Sequence, residues 1–188
     1  MALVFEDLIE KANKDLFIIA EAGVNHDGSL DTAKKLVDAA SDSGCDAVKF
    51  QTWITEKVYS KEKSIKPDYQ IKTTSHDKSE FETIKELELS FEAFRELKTY
   101  CDKKNILFLS TPDEIESARF LVNELKVPFL KTASQDVTNE VFLKQLSEFD
   151  LPIIFSTGAS TLEELIKGWT TLSAHNRQVI TLHCVSSY

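Results

Sequence analysis

The chain has 188 residues, 42% hydrophobic and 28% charged, with five Gly and four Pro, which excludes a disordered or collagen-like chain and provides apolar material for a core. A formal net charge of -9 at pH 7 excludes a broad nucleic-acid footprint or a polybasic membrane patch, so any anionic substrate needs a local basic pocket.

Met1 is followed by an amphipathic "FEDLIEKA" where a signal peptide would carry an apolar segment, and Cys45, Cys101 and Cys184 show no C-x-x-C spacing. A reducing cytoplasm is therefore the expected location. No apolar stretch approaches the roughly 18 to 20 residues that span a bilayer, so no membrane contact is expected.

Short β-rich runs then alternate with amphipathic helical segments. The first predicted strand is "LFIIAE" (Leu16–Glu21), in which Phe17, Ile18 and Ile19 are expected to be buried and Glu21 ends the run. After the turn "GVNHDG", Ser29 or Asp31 caps a helix stopped by Gly44. "DAVKFQ" (Asp46–Gln51) is the second strand. The stretch Thr52 to about Ser79, rich in Lys and carrying Trp53, Tyr59 and Tyr69, is long for a loop between strand and helix and reads as a lid or substrate-contacting loop. Ser90 caps the next helix, and "ILFLST" (Ile106–Thr111), "PFLKTAS" (Pro128–Ser134), "PIIFST" (Pro152–Thr157) and "VITLHC" (Val179–Cys184) are further strands. Asp113, Thr138 and Ser160 or Thr161 are the expected starts of the intervening helices.

Near-continuous apolar strands alternating with helices imply a parallel sheet covered by helices, either doubly wound or closed as a (β/α) barrel. The strand ends favour the barrel. Glu21, Lys49 and Gln51, Ser110 and Thr111, Lys131 and Ser134, Ser156 and Thr157, and His183 and Ser186 all stand where strands exit, and in a barrel these ends share one mouth.

Lys49 and Lys131 lie inside apolar strands, where an ammonium is costly unless it meets an anion. With the hydroxyls of Thr111, Ser134 and Ser156 they read as a cradle for a phosphate or carboxylate. Two other readings stand beside this one: lysines paired internally with Glu21 or Asp136, and Lys131 as the Schiff-base lysine of an aldolase. Among His26, His76, His175 and His183 no metal-binding spacing occurs, so no metal ligand is assigned. His183 is the best histidine candidate for the site, His26 reads as a turn residue, and His76 and His175 as loop surface.

The ordered motifs "IIAEAGVNHDGSLDTAKKLVDAA", "CDAVKFQTW", "LELSFEAFRELKTYCDKKNILFLSTPDE", "LKTASQDVTN", "PIIFSTGAS" and "LHCVSSY" resemble the sialic acid synthase family, which includes N-acetylneuraminate synthases and their legionaminate, pseudaminate and spore-coat-polysaccharide relatives. The resemblance implies a TIM (β/α)8-type barrel, of which residues 1–188 cover about the first six βα units, leaving out two strands and a C-terminal antifreeze-like domain. It also implies condensation of phosphoenolpyruvate with an N-acylated hexose such as N-acetylmannosamine, giving a nine-carbon 2-keto sugar acid and phosphate. By position, Lys49, Thr111, Lys131, Ser134 and Ser156 match the family's phosphoenolpyruvate ligands and Glu21 its acid/base carboxylate. Gln51 and Asp136 match further polar residues of the pocket, and Ser186 and Tyr188 match ligand-contacting residues after the sixth strand. Lys131 is thus both a ligand and a candidate catalytic residue. A divalent manganese or magnesium ion is expected, its two histidine ligands lying beyond residue 188. "KTASQD" departs from the family's "KI(G/A)SG(E/D)", with Gln135 at a glycine position.

Six strands do not close an eight-stranded barrel, so two exposed edges are expected, covered by self-association as a homo-oligomer or by a complementing chain. A noncatalytic fragment that binds phosphoenolpyruvate or phosphate is the alternative function.

Overall fold

The computed structural model describes residues 5–61, 79–175 and 178–186. Helix α1 (Phe5–Lys14) leads into strand β1 (Ile19–Gly23), helix α2 (Leu30–Asp42), strand β2 (Ala47–Thr52) and a one-turn helix α3 (Thr55–Val58). Next come α4 (Glu80–Leu87), α5 (Phe91–Lys103), β3 (Leu107–Pro112), α6 (Ile115–Asn123), β4 (Leu130–Thr132), a 3-10 turn (Ser134–Thr138), α7 (Glu140–Ser147), β5 (Ile153–Ser156), α8 (Leu162–Ser173) and β6 (Val179–Leu182). All strand pairings are parallel, in two three-stranded sheets ordered β1-β2-β3 and β4-β5-β6. β3 and β4 are neighbours without a hydrogen-bonded ladder between them.

The two-residue period of the strands sorts their side chains onto two faces. Val48 and Phe50, Phe108, Leu130, and Ile153 and Phe155 belong to the main core, which also holds Val37, Phe94, Leu97, Leu121, Leu143 and Leu172 from the helices. Phe50 stacks on Phe108 at 6.0 Å, and Phe94 meets Phe108 edge-on at 6.3 Å. The opposite strand face is apolar only at the N-terminal ends: Ala47, Leu109, Phe129 and Ile154 form a second, smaller cluster, against which Ile9, Phe17, Ile19 and Leu107 pack. Two residues further along the same face the side chains become Lys49, Thr111, Lys131 and Ser156. One end of this face is thus packed like a core and the other is polar.

The helix starts follow the capping chemistry with two corrections. Ser29, Ser90 and Thr161 cap α2, α5 and α8, each accepting a backbone N–H of its first turn. α6 starts from Glu114, which accepts from the N–H groups of Glu116 and Ser117, so Asp113 is not a cap. α7 is capped by Asn139, not Thr138, which lies in the preceding 3-10 turn. The first strand is also shifted. Ile18 is 48% exposed and donates its N–H to Asp46, while β1 begins at Ile19 and continues past Glu21 to Gly23 with an irregular register between them. Most of the expected lid lies outside the described residues, as do His76 and Tyr188; of its ends, residues 55–58 form α3 and Ser79 makes a capping box with Glu82 at the start of α4.

The turn after β1 is held against α4 at Gly28. Its φ is +69°, and a Cβ there would stand 2.1 Å from the carbonyl oxygen of Glu86. Gly44, at φ +74°, has nothing within 4 Å of the corresponding position. Gly28→Ala is expected to lower stability by more than about 1 kcal/mol beyond the loss in Gly44→Ala, because both pay the left-handed backbone strain but only the first meets backbone. Thermal melts of the two variants check this, and equal losses would show that the turn does not rest on α4.

Candidate active site

The polar end of the strand face holds a cavity of about 270 Å³, lined by Glu21, Lys49, Lys131, Ser156 and Cys184 with Ile19, Phe129, Ile154 and Leu182. β1 and β2 set Glu21 directly across from Lys49 in register, and the Lys49 ammonium meets the Glu21 carboxylate at 2.6 Å. The lysine side chain is 7% exposed and the glutamate 56%, so the pair joins a buried cation to an anion that faces solvent. Lys49 also donates to Thr111 Oγ1 at 3.3 Å.

Lys131 differs. Among the described residues its ammonium has no carboxylate within 4.0 Å, and no hydrogen bond holds it. Burial, then the positive charge of Lys49, push its pKa below the ordinary lysine value, opposed by Glu21 and more weakly by Asp136. Ser156 Oγ is buried without a hydrogen-bond partner. The internal-pairing reading therefore describes Lys49 with Glu21 but not Lys131. Two cations and an unsatisfied hydroxyl facing one small cavity form an arrangement that an anion completes: charge-assisted hydrogen bonds contribute about 1.5 to 3 kcal/mol each.

A second cavity of about 720 Å³ adjoins the ends of β2, β3, β4 and β5. Gln51, Trp53 and Tyr59 line it from the β2 side, Asp113 from β3, Ser134 and Gln135 from the 3-10 turn, Gly158 from the turn after β5, and Ser186 from the chain after β6. Ser134 Oγ accepts the Gly158 N–H at 3.0 Å. A Cβ at Gly158 would lie 2.0 Å from Ser186 Oγ and 2.9 Å from Ser134 Oγ, so any larger residue would have to displace the two serine side chains that converge there. Asp136 is buried and points its carboxylate back to the Ala133 N–H at 3.1 Å; burial raises its pKa to about 6, against that hydrogen bond and Lys131. Asp113 is raised to about 7 by burial and then by Asp136, with Lys49 and Lys131 opposing.

The sequence candidates thus divide between two cavities: Glu21, Lys49, Lys131 and Ser156 at the smaller, Gln51, Ser134 and Ser186 at the larger, with Thr111 joined to the first through Lys49. His183 is exposed and lines neither cavity, a correction to its selection as a site histidine. His26 is fully buried: its Nδ1 accepts from the Gly28 N–H at 3.1 Å, its Nε2 has no partner, and burial lowers its pKa against the pull of Asp27. It is a turn residue, as expected, and a buried one. Asp113 and Cys184 were not among the sequence candidates. Asp113 stands two residues after Thr111, so the strand period itself was the signal.

Among the described residues no group of three or more His, Cys, Asp or Glu side chains is placed to hold a metal ion. The described residues thus hold no metal site of their own. No helix among the described residues is long and apolar enough to cross a membrane.

Parallel strands between helices, with two lysines and buried hydroxyls at their C-terminal ends, define an α/β protein of the kind whose sites are built at those ends. Comparison with known proteins narrows this. The NeuB family model matches residues 36–188, and the chain belongs to that family. It is 42% identical to N,N'-diacetyllegionaminic acid synthase of Campylobacter jejuni over 93% of this chain and 53% of that protein. It is 32% identical to the N-acetylneuraminate-9-phosphate synthase of Homo sapiens over 92% of this chain and 47% of that one. The crystal structure of the N-acetylneuraminic acid synthetase of Leptospira borgpetersenii, in complex with citrate, superposes with a TM-score of 0.78 at 32% identity, covering 92% of this chain and 55% of that one. The chain spans about half the length of the curated relatives it matches.

The raised carboxyl of Asp113 has a stability signature. Its folded pKa of about 7 stands above the ordinary 3.8, so its contribution is complete below the lower value and is lost as the pH rises towards the upper one. Asp113→Asn is expected to gain melting temperature relative to the parent progressively from about pH 4 to about pH 7 and to level off above. Paired melts across that range test this, and an offset that does not change with pH would contradict it.

Proposed function

We propose that this protein is the catalytic segment of a phosphoenolpyruvate-dependent sugar acid synthase with a (β/α)8-type barrel fold. The observation that carries the proposal is the smaller cavity, where an unpaired Lys131, the Lys49 ammonium and the free Ser156 hydroxyl converge. In this reading Lys131, Lys49, Thr111 and Ser156 hold the phosphate and carboxylate of phosphoenolpyruvate, with Ser134 at the border with the larger cavity. The acceptor is an N-acylated hexose, bound by Gln51, Ser186 and other residues of the larger cavity, with Asp136 and Tyr188 as further proposed ligands.

The reaction supported by this assignment joins C3 of phosphoenolpyruvate to the acceptor's aldehyde carbon. Water adds at C2, and the tetrahedral product loses phosphate by C–O cleavage to leave the 2-keto acid. Glu21 is the acid/base of the proposal: its exposed carboxylate beside Lys49 can take a proton from the attacking water and deliver one to the leaving phosphate. A divalent manganese or magnesium ion, with ligands from outside the described residues, would supply electrophilic assistance to the aldehyde.

Binding is proposed for this chain itself, and turnover for the chain with whatever segment or second copy completes its sheet edges. A cytoplasmic location is part of the same proposal.

The depressed pKa of Lys131 also suits a Schiff-base lysine. Borohydride reduction in the presence of pyruvate separates the two: the synthase reading expects no adduct on Lys131, and a trapped adduct would favour the aldolase.

Lys131→Met is expected to abolish the thermal stabilisation given by phosphoenolpyruvate without lowering the melting temperature of the empty protein, since it removes a buried unpaired charge. Loss of the fold would assign Lys131 a structural role. Intact mass, oligomeric state and phosphate release from phosphoenolpyruvate with N-acetylmannosamine, with and without manganese, then decide between synthase and noncatalytic binder: metal-dependent release supports the former, binding without release the latter.

A further inference from the structure

The smaller cavity contains a nucleophile that the proposed chemistry does not use. Cys184 follows β6 and is a free, half-buried thiol, its Sγ 3.8 Å from the Leu182 carbonyl, a weak contact. It lines the cavity together with Lys49 and Lys131. Its charge reaches Lys131: burial lowers the pKa of that lysine, and Cys184 stands after Glu21 among the groups that oppose the fall. A second group points to a ligand at the same place. Ser156, 1% exposed, lines this cavity, and its Oγ has no hydrogen-bond partner among the described residues. The other two cysteines stand elsewhere. Cys101 is fully buried in the main core, where burial pushes its thiol up to about 12 and leaves it inert. Cys45 packs half-buried against the same core just before β2, at the opposite end of that strand from the cavity.

We propose that Cys184 is an oxidative modification site inside the anion cradle, converted by hydrogen peroxide to a sulfenic acid that displaces phosphoenolpyruvate until a thiol reduces it. The inference rests on the synthase reading for the identity of the anion. The sulfur attacks one peroxide oxygen: an S–O bond forms, the O–O bond breaks, and the thiol proton leaves with the second hydroxyl as water. Sulfur is oxidised by two electrons and the peroxide is reduced by two. Two equivalents of a small thiol reverse the step, giving back the Cys184 thiol with water and a disulfide. The added hydroxyl takes space and donors at once. The cavity, at about 270 Å³, is already smaller than the range of about 300 to 1,000 Å³ usual for small-molecule sites, so a further oxygen competes with a ligand for room. That oxygen also accepts hydrogen bonds, and the donors lining the cavity are the ammonium and hydroxyl groups that a bound anion requires. A bound anion in turn covers the sulfur, so ligand and oxidant exclude each other.

The test treats the full, reduced chain with a small excess of hydrogen peroxide in the presence of dimedone, which tags sulfenic acids, and locates the tag by peptide mass. Cys184 is expected to be tagged ahead of Cys45 and Cys101. With phosphoenolpyruvate at about ten times its Kd, tagging should slow about tenfold, as the open fraction falls to about a tenth. In calorimetric titration without dimedone, the oxidised protein should bind phosphoenolpyruvate at least about tenfold more weakly, and dithiothreitol should restore the original affinity. Cys184→Ala, whatever its own affinity, should show no change on peroxide treatment. Earlier tagging of another cysteine, a rate indifferent to bound phosphoenolpyruvate, unchanged affinity after oxidation, or a loss in Cys184→Ala as large as the parent's would each overturn the assignment while leaving the anion site standing. Failure of phosphoenolpyruvate to bind the reduced protein would instead remove the synthase reading, and the blocking role of Cys184 with it.

Discussion

Two ammonium groups are held at the polar end of one strand face, and among the described residues only one of them has a carboxylate in contact. Lys49 is neutralised by Glu21 at 2.6 Å, while Lys131 feels the repulsion of Lys49 without a partner of its own. Desolvating an unmatched cation is unfavourable, so the rest of the fold must fix the lysine where it could otherwise turn to solvent. The packed cluster of Ala47, Leu109, Phe129 and Ile154 beneath it provides that support, and α1 adds Ile9 to its base. The two lysines are positioned by strands and not by a loop.

The same geometry separates two chemical environments over a short distance. β2 and the end of β3 reach both: β2 brings Lys49 to the smaller cavity and Gln51 to the larger, and β3 brings Thr111 towards Lys49 and leads into Asp113 at the larger. One rule, alternation by two, sets the basic residues on one layer and the polar, acid-lined residues on the next. A condensation between an anion and a polyhydroxylated acceptor requires such adjacency, because both reactants must be positioned at once for the entropy of encounter to be overcome.

Much of this was legible from sequence because strand periodicity is strict. The six strands were recognisable within a few residues, as were the cap at Ser90 and, each as one of two candidates, those at Ser29 and Thr161, and the lysines in apolar runs flagged the smaller cavity. What was not legible depends on neighbours distant in the chain. Whether Glu21 pairs with Lys49 or Lys131 is decided by register between β1 and β2. Asp113 looked like a helix cap because Asp is a good one, but the following Glu114 reaches two backbone N–H groups and takes that role. His26 looked like a turn residue and is one, yet it is buried, its ring beside Phe50 of β2. α4 itself is short and follows a lysine-rich stretch, so its capping box was easily passed over.

The chain contains two tryptophans, and their surroundings are opposite. Trp53 is 4% exposed, donates its indole N–H to Thr55 Oγ1 and forms part of the wall of the larger cavity; Trp169 is 47% exposed on the outer face of α8 and lines neither cavity. Fluorescence from the protein is therefore the sum of a blue-shifted emitter at the pocket and a red-shifted one remote from it, the second acting as an internal reference. Occupancy of the pocket can be followed optically as a change in the shape of the emission band, without a label.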